Sequence, residues 1–310
     1  MAKYLVTGGA GFIGSNIVEE LVRRKEKVVV LDSFITGKRE NLAPFKGKIK
    51  LIKGDIRDPK ACARALKGVD YVIHQAALRS VPKSVDDPFT TNDINISGTL
   101  NLLMAAKKAG VKRVVYASSS SAYGDVKRFP QKETDYPNPI SPYGVSKLAA
   151  ENYCVTFSKT FGLETVSLRY FNVFGPRQNP ESKYSAVVPA FLFAMAKGKQ
   201  PIVEWDGKQA RDFTYVGNVV QANLKACTAK GVSGEVFNVA CGMSISVLDI
   251  VRVLNKILKT DVKPKFAPKR RGDVRTTYAD ISKMKRLLGV KRIVKFDEGM
   301  RRTADWFLNK

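Results

Sequence analysis

The stretch Thr7-Gly8-Gly9-Ala10-Gly11-Phe12-Ile13-Gly14 constrains this chain more than any other. It follows a short apolar run, Lys3–Thr7, and opens a segment in which Ile13, Ile17, Val18, Leu21 and Val22 recur at helical spacing. A strand turning through glycines into a helix is the first unit of a dinucleotide-binding fold. Gly8 permits the tight turn, Gly11 lets backbone approach a pyrophosphate, and Gly14 lets helix pack on strand. The helix start, with Phe12 and Ile13, then presents N–H groups to phosphates. Asp32 closes a second apolar run 18 residues past Gly14. A carboxylate there accepts hydrogen bonds from ribose hydroxyls and repels a 2′-phosphate, which predicts NAD rather than NADP.

The alternation continues down the chain. Val28–Asp32 reads as a strand buried on both faces. Ile49–Ile52, Val69–His74, Arg113–Ala117 and Thr165–Phe171 read as further strands. Helices are expected after the Asp58-Pro59 start, over Asn95–Ala109, and from Pro142 to about Thr160. This succession predicts an α/β fold, a doubly wound parallel (Rossmann) sheet. Beyond Phe174-Gly175-Pro176 the elements shorten and prolines multiply, which predicts a smaller C-terminal substrate-binding lobe. The expected division is 1–172 and 213–240 for the NAD-binding domain, and 173–212 and 241–310 for the lobe.

Composition narrows the chemistry. Four cysteines without a CxxC pair, and the single histidine His74, argue against a disulfide scaffold or a metal site. No signal peptide is apparent and no apolar run approaches the ~18 residues of a membrane span, so a cytoplasmic location is expected. The 53 Lys+Arg against 28 Asp+Glu give +25. These cations are scattered, with no interleaved aromatics, so no nucleic-acid partner is expected. A positive field would draw in a diphosphate but does not account for so large an excess.

Tyr143-Gly-Val-Ser-Lys147 places a phenol and an ammonium at i and i+4 on one helix face. A phenol with an ordinary pKa near 10 is a poor base until nearby positive charge favours the phenolate. Upstream, Tyr116-Ala-Ser-Ser-Ser-Ser-Ala-Tyr123-Gly124 follows a strand at its carboxyl end, where α/β sheets bind ligands.

At these separations the three motifs resemble the extended short-chain dehydrogenase/reductase family. The match covers nearly the whole chain, through Asp55-Ile56, His74-Gln75-Ala76-Ala77, Tyr170-Phe171-Asn172, Arg211-Asp212 and Arg270-Arg-Gly-Asp273. Among its members the chain is most similar to UDP-glucose and UDP-N-acetylglucosamine 4-epimerases. Arg79-Ser80-Val-Pro82 and Phe171-Asn-Val-Phe-Gly-Pro-Arg177 point to the N-acetylglucosamine branch. The resemblance implies an isomerase that inverts C4 of a UDP-hexose through a 4-keto intermediate. It implies Tyr143 as base, with Ser119, or Ser120 in its place, as hydroxyl partner. Asp55 and Ile56 would hold adenine, Asn95 and Lys147 the ribose side, with Ala76 beside the cofactor. Asn172, Arg211 and Arg270 would grip the diphosphate and Asp273 the uridine ribose, with Arg79 and Ser80 near the sugar. Thr277 is small where glucose-limited relatives can carry tyrosine, leaving room for an N-acetyl group. Related 4,6-dehydratases carry an Asp-Glu pair where this chain has Ser120 and Ser121. A UDP-glucuronate 4-epimerase ranks lower because of Phe171-Asn172. Readings from other classes are a non-catalytic NAD-binding protein and a nucleic-acid binder. Members commonly form homodimers through helices that include Tyr143–Thr160.

Overall fold

Successive side chains along a strand point to opposite faces, so a strand covered on both sides must be apolar throughout. Val6, Val30 and Val115 enter one core, while Leu5, Val29, Leu31 and Val114 enter another. A computed structural model describes residues 1–126, 128–179, 187–269 and 275–309. Its main sheet has seven parallel strands: β1 (Lys3–Thr7), β2 (Lys27–Asp32), β3 (Ile49–Lys53), β4 (Tyr71–His74), β5 (Arg113–Ser119), β6 (Thr165–Tyr170) and the edge strand Glu235–Val239. The order is edge strand, β6, β5, β4, β1, β2, β3. The doubly wound parallel sheet is therefore present.

The helices in chain order are α1 (Phe12–Arg23), α2 (Pro59–Ala65), α3 (Val81–Asp86), α4 (Pro88–Asn92), α5 (Gly98–Lys108), α6 (Pro142–Phe161), α7 (Val187–Ala196), α8 (Val216–Thr228), α9 (Val247–Leu258), α10 (Ser282–Leu288) and α11 (Phe296–Leu308). Ile17 and Leu21 of α1 and Val219 of α8 pack on the first face. Cys62 of α2, Leu103 of α5 and Phe157 of α6 pack on the second. Winding reverses between β1 and β4, where Thr7 and His74 are register partners, and this opens the ligand crevice of such sheets.

A third core, with Phe191 of α7, Ile250 and Leu254 of α9, and Phe296 and Met300 of α11, holds the smaller lobe. A capping box between Ser246 and Asp249 starts α9. Ile281, Met284, Leu288 and Val290 instead join the first core of the sheet, although they fall in the stretch expected to be lobe. α10 packs on α8 and the edge strand, a placement that no local pattern announces. The helix expected to begin at Asn95 differs too. Residues Asp93–Ser97 form a π-helical turn before α5, a distortion that often accompanies a functional site.

Candidate active site

α6 owes its start to Ser141, whose Oγ accepts the Gly144 N–H at 3.1 Å, followed by Pro142 in the first turn. The 3.6-residue period then puts Tyr143 and Lys147 on one face. At the carboxyl end of β5 the Ser119 hydroxyl lies beside the Tyr143 phenol, close enough to favour its ionised form. Its Oγ also accepts the Ser121 N–H at 3.1 Å. Ser118 points elsewhere, donating to Glu151 Oε2 at 2.6 Å. Ser120 begins the short turn Ser120–Ala122. Of the serines, Ser119 is thus the one brought to Tyr143. Burial raises the Tyr143 phenol, while Ser119 and the nearby Arg79 charge oppose that rise. Lys147 is buried with Nζ 4.3 Å from the centre of the Tyr116 ring. Burial pushes its ammonium down to about 7, against the charges of Cys154 and Glu151.

His74 is buried behind this cluster. Thr99 Oγ1 donates to the Asn95 carbonyl at 2.7 Å, so it accepts from His74 Nε2–H at 3.0 Å. Nδ1 must then accept from the Thr7 hydroxyl at 2.6 Å. Thr7 Oγ1 in turn takes the Ala76 N–H at 3.3 Å. Burial holds His74 neutral, its pKa pushed down to about 3. Asn95 uses its amide within the protein: Oδ1 accepts the Leu78 N–H at 2.8 Å, and Nδ2 donates to Leu78 O at 3.0 Å and Ser146 Oγ at 2.9 Å. It ties the loop after β4 to α6. Its side chain is therefore engaged with these protein groups. Nothing local predicted this, because its partners lie 17 and 51 residues away.

The glycine turn has no spare room on its inner side. A Cβ on Gly8 (φ 66°) would lie 2.7 Å from Ala76 N, and one on Gly14 would lie 2.2 Å from Gly8 O. On Gly11 it would meet only Gly8 O, at 3.2 Å, so this side of the turn stays open. Gly11 N-caps α1 without a side-chain bond, and no acidic residue occupies the first turn. The N–H groups at Phe12 and Ile13 thus keep their capacity for an anion. Asp32 Oδ2 accepts the Ala10 N–H and Oδ1 the Phe34 N–H, both at 2.8 Å. Burial raises its carboxyl, and these two bonds oppose the rise. Beyond the ends of β2 and β3, Ser33, Ile35, Lys53, Gly54, Asp55 and Arg57 line an open hollow of about 440 Å³. Burial disfavours the ionised Asp55, but the Arg57 hydrogen bonds prevail and hold its carboxyl below the usual range. Ile56 is buried among the second core.

Arg211 and Thr277 are register partners on adjacent short strands of the lobe, so the fold brings them together. Next to them Asp212 is fully buried and accepts N–H bonds from Cys241, Gly242, Met243 and Ala279 at 2.8 to 3.4 Å. Burial raises its carboxyl to about 6 despite those bonds. Asn172 is exposed and helps line a smaller cavity of about 90 Å³ with Val188 and Phe213. Arg79 is exposed, and Ser80 N-caps α3 by accepting the Lys83 N–H at 3.3 Å. Arg270 and Asp273 lie outside the described residues.

Residues 4–240 match the model of the family described as NAD dependent epimerase/dehydratase family. The chain belongs to that family. A putative UDP-glucose 4-epimerase of Methanocaldococcus jannaschii is 38% identical over 307 residues, 98% of each chain. The solved UDP-N-acetylglucosamine 4-epimerase of Methanobrevibacter ruminantium M1, in complex with UDP-N-acetylmuramic acid, is 38% identical with a TM-score of 0.93, covering 99% of this chain and 98% of that one. The UDP-glucose 4-epimerase of Thermotoga maritima, solved with UDP-glucose, is 39% identical with a TM-score of 0.93 over 99% of each. NAD is the cofactor of this epimerase/dehydratase family member, and the residues present fit it. The open face at Gly11, the uncapped start of α1 and the Asp32 carboxylate suit a diphosphate and a ribose hydroxyl pair. Among the described residues there is no metal-binding cluster, and no helix is long and apolar enough to cross a membrane.

Proposed function

We propose that this enzyme inverts C4 of a UDP-hexose, interconverting UDP-glucose with UDP-galactose and UDP-N-acetylglucosamine with its 4-epimer. The observation that carries this is Tyr143 beside Ser119 at the carboxyl end of β5, with the buried Lys147 one turn further along α6. Bound NAD supplies reversible hydride acceptance at C4. Tyr143 takes the C4 hydroxyl proton and returns it after the 4-keto sugar has turned its other face. Ser119 orients the phenol and donates to the sugar oxygen, and Lys147 supplies positive charge beside it. Ser120 and Ser121 offer no carboxyl pair for elimination of water.

In this reading Asp32 takes the ribose hydroxyls of NAD, Asp55 and Ile56 bound the adenine, and Ala76 flanks the glycine turn. Asn95 acts by fixing Leu78 and Ser146. Asn172, Arg211 and Arg270 hold the diphosphate, since a guanidinium fork fits phosphate oxygens, and Asp273 holds the uridine ribose. Arg79 and Ser80 lie toward the sugar, and Thr277 leaves room for an N-acetyl group. A homodimer through α5 and α6 belongs to the same proposal, supported by exposed Met104 and Val145.

Proton NMR of UDP-glucose and UDP-N-acetylglucosamine, each incubated with purified protein and no added NAD, tests it. New anomeric signals of the 4-epimers are expected. No change in either sugar after NAD is supplied would reject the reading, with UDP-glucuronate the next substrate to try. Thr277→Tyr should selectively remove the N-acetyl activity; equal loss on both sugars overturns that assignment.

A further inference from the structure

One turn beyond Lys147, on the same face of α6, stands Glu151. Its carboxylate is buried, with 2% exposure, and so is Arg169 of β6, with 4%. Arg169 Nη2 donates to Glu151 Oε1 at 2.7 Å and Nε to Oε2 at 3.0 Å. Glu151 Oε2 also takes the Ser118 hydroxyl at 2.6 Å. On its other side the Arg169 guanidinium lies 4.5 Å from the centre of the Tyr123 ring. Tyr123 is itself fastened, its hydroxyl donating to Asn238 Oδ1 at 2.6 Å.

The pair therefore reaches both ends of the turn that presents Ser119. Ser118 precedes Ser119 on β5 and is the register partner of Arg169. Tyr123 closes the turn after Ala122. A buried ion pair gives little net stability over apolar residues of similar volume, because two charges lose their water. Fold stability alone is thus a weak reason for this pair. Its third arm, on the serine next to Ser119, gives it another role.

We infer that Glu151, with Arg169, is a positioning residue that clamps the Ser118–Tyr123 turn to α6 and so holds Ser119 in register with Tyr143. The inference rests on the epimerase reading of that site. Glu151 touches neither Ser119 nor Tyr143 through any of these bonds. It acts through Ser118 and Tyr123.

Two variants test the clamp beside the wild type. Ser118→Ala removes one hydroxyl and leaves the ion pair. Glu151→Leu/Arg169→Met replaces the pair with apolar volume, so neither charge is left alone. The expected result for the double variant is a Tm no lower than wild type, an unchanged KM for the UDP-sugar, and a kcat reduced about a hundredfold, the scale of a misplacement of about 1 Å. For Ser118→Ala a fall of about tenfold in kcat at constant KM is expected. In crystals of the double variant the Ser119 hydroxyl should lie farther from the Tyr143 hydroxyl than in crystals of the wild type. Wild-type kcat in Ser118→Ala overturns the inference, as does a parallel loss of Tm, KM and kcat in the double variant. If the wild type itself epimerises no UDP-sugar, the functional reading fails. The clamp is then judged on the crystals alone: a Ser119–Tyr143 separation in the double variant equal to that of the wild type rejects it.

Discussion

His74 shows how a single residue couples chemistry to stability. Folded, it stays neutral until the pH nears about 3, whereas unfolded it takes up a proton near its ordinary 6.5. The unfolded chain therefore binds more protons in that window, and stability is lost as pH falls below about 6.5. Between pH 7 and pH 5 this penalty reaches about 2 kcal/mol. Asp212 runs the other way, because its folded carboxyl is raised to about 6 and the folded state binds more protons there. Comparing wild type with His74→Asn cancels Asp212. The Tm advantage of wild type at pH 7 should narrow at pH 5; a constant gap in calorimetry would show that His74 does not titrate this way. At the catalytic residues the prediction is sharper. Tyr143→Phe should lose about 10²- to 10⁴-fold in kcat with Tm unchanged, the usual contribution of one general base.

The elements around the site tolerate change unequally. Gly14→Ala puts a methyl 2.2 Å from the Gly8 carbonyl, so the turn must open or α1 must shift. The expected outcome is loss of the NAD retained through purification, read by absorbance of the denatured supernatant. α9 ends differently: Lys259, exposed at its C-terminus, sits at φ 55°. Left-handed backbone costs a residue with a Cβ about 1–2 kcal/mol, part of which glycine returns as unfolded-state entropy. Lys259→Gly should raise Tm by about 1–2 °C without touching activity. The π-helical turn at Asp93–Ser97 lies between these extremes. It turns Asn95 inward to Leu78 and Ser146, and so links the loop after β4 to the helix of Tyr143.

At the scale of the molecule, three cores among the described residues carry the fold and the charge works against it. A net +25 repels itself, and the Debye length shrinks from about 20 Å to about 7 Å between about 20 and 200 mM salt. Tm should rise by a few degrees across that range, while an unchanged Tm would mean that the cations are already neutralised locally. A nucleic-acid role would give a gel shift that weakens steeply with salt; no shift is expected. Asp212 joins Arg211 of the lobe to the loop at Cys241–Met243 and to Ala279. Those segments come from both sides of the edge strand Glu235–Val239.

What the sequence determined by itself is what local periodicity encodes. The glycine turn, the apolar strands, the Ser141-Pro142 start of α6 and the i, i+4 placement of Tyr143 and Lys147 all follow from neighbours within a few residues. Tertiary structure alone decided the rest. Ser119 lies beside Tyr143, while Ser118 gives its hydroxyl to Glu151, 33 residues away. Thr7, 67 residues before His74, and Thr99, 25 after it, meet it at the reversal between β1 and β4, and burial there keeps it neutral. Ile281 and Met284 pack on the sheet because α10 finds the surface left by α8 and the edge strand. Such contacts depend on which surfaces remain to be buried once the sheet has formed. No short stretch of sequence carries that information.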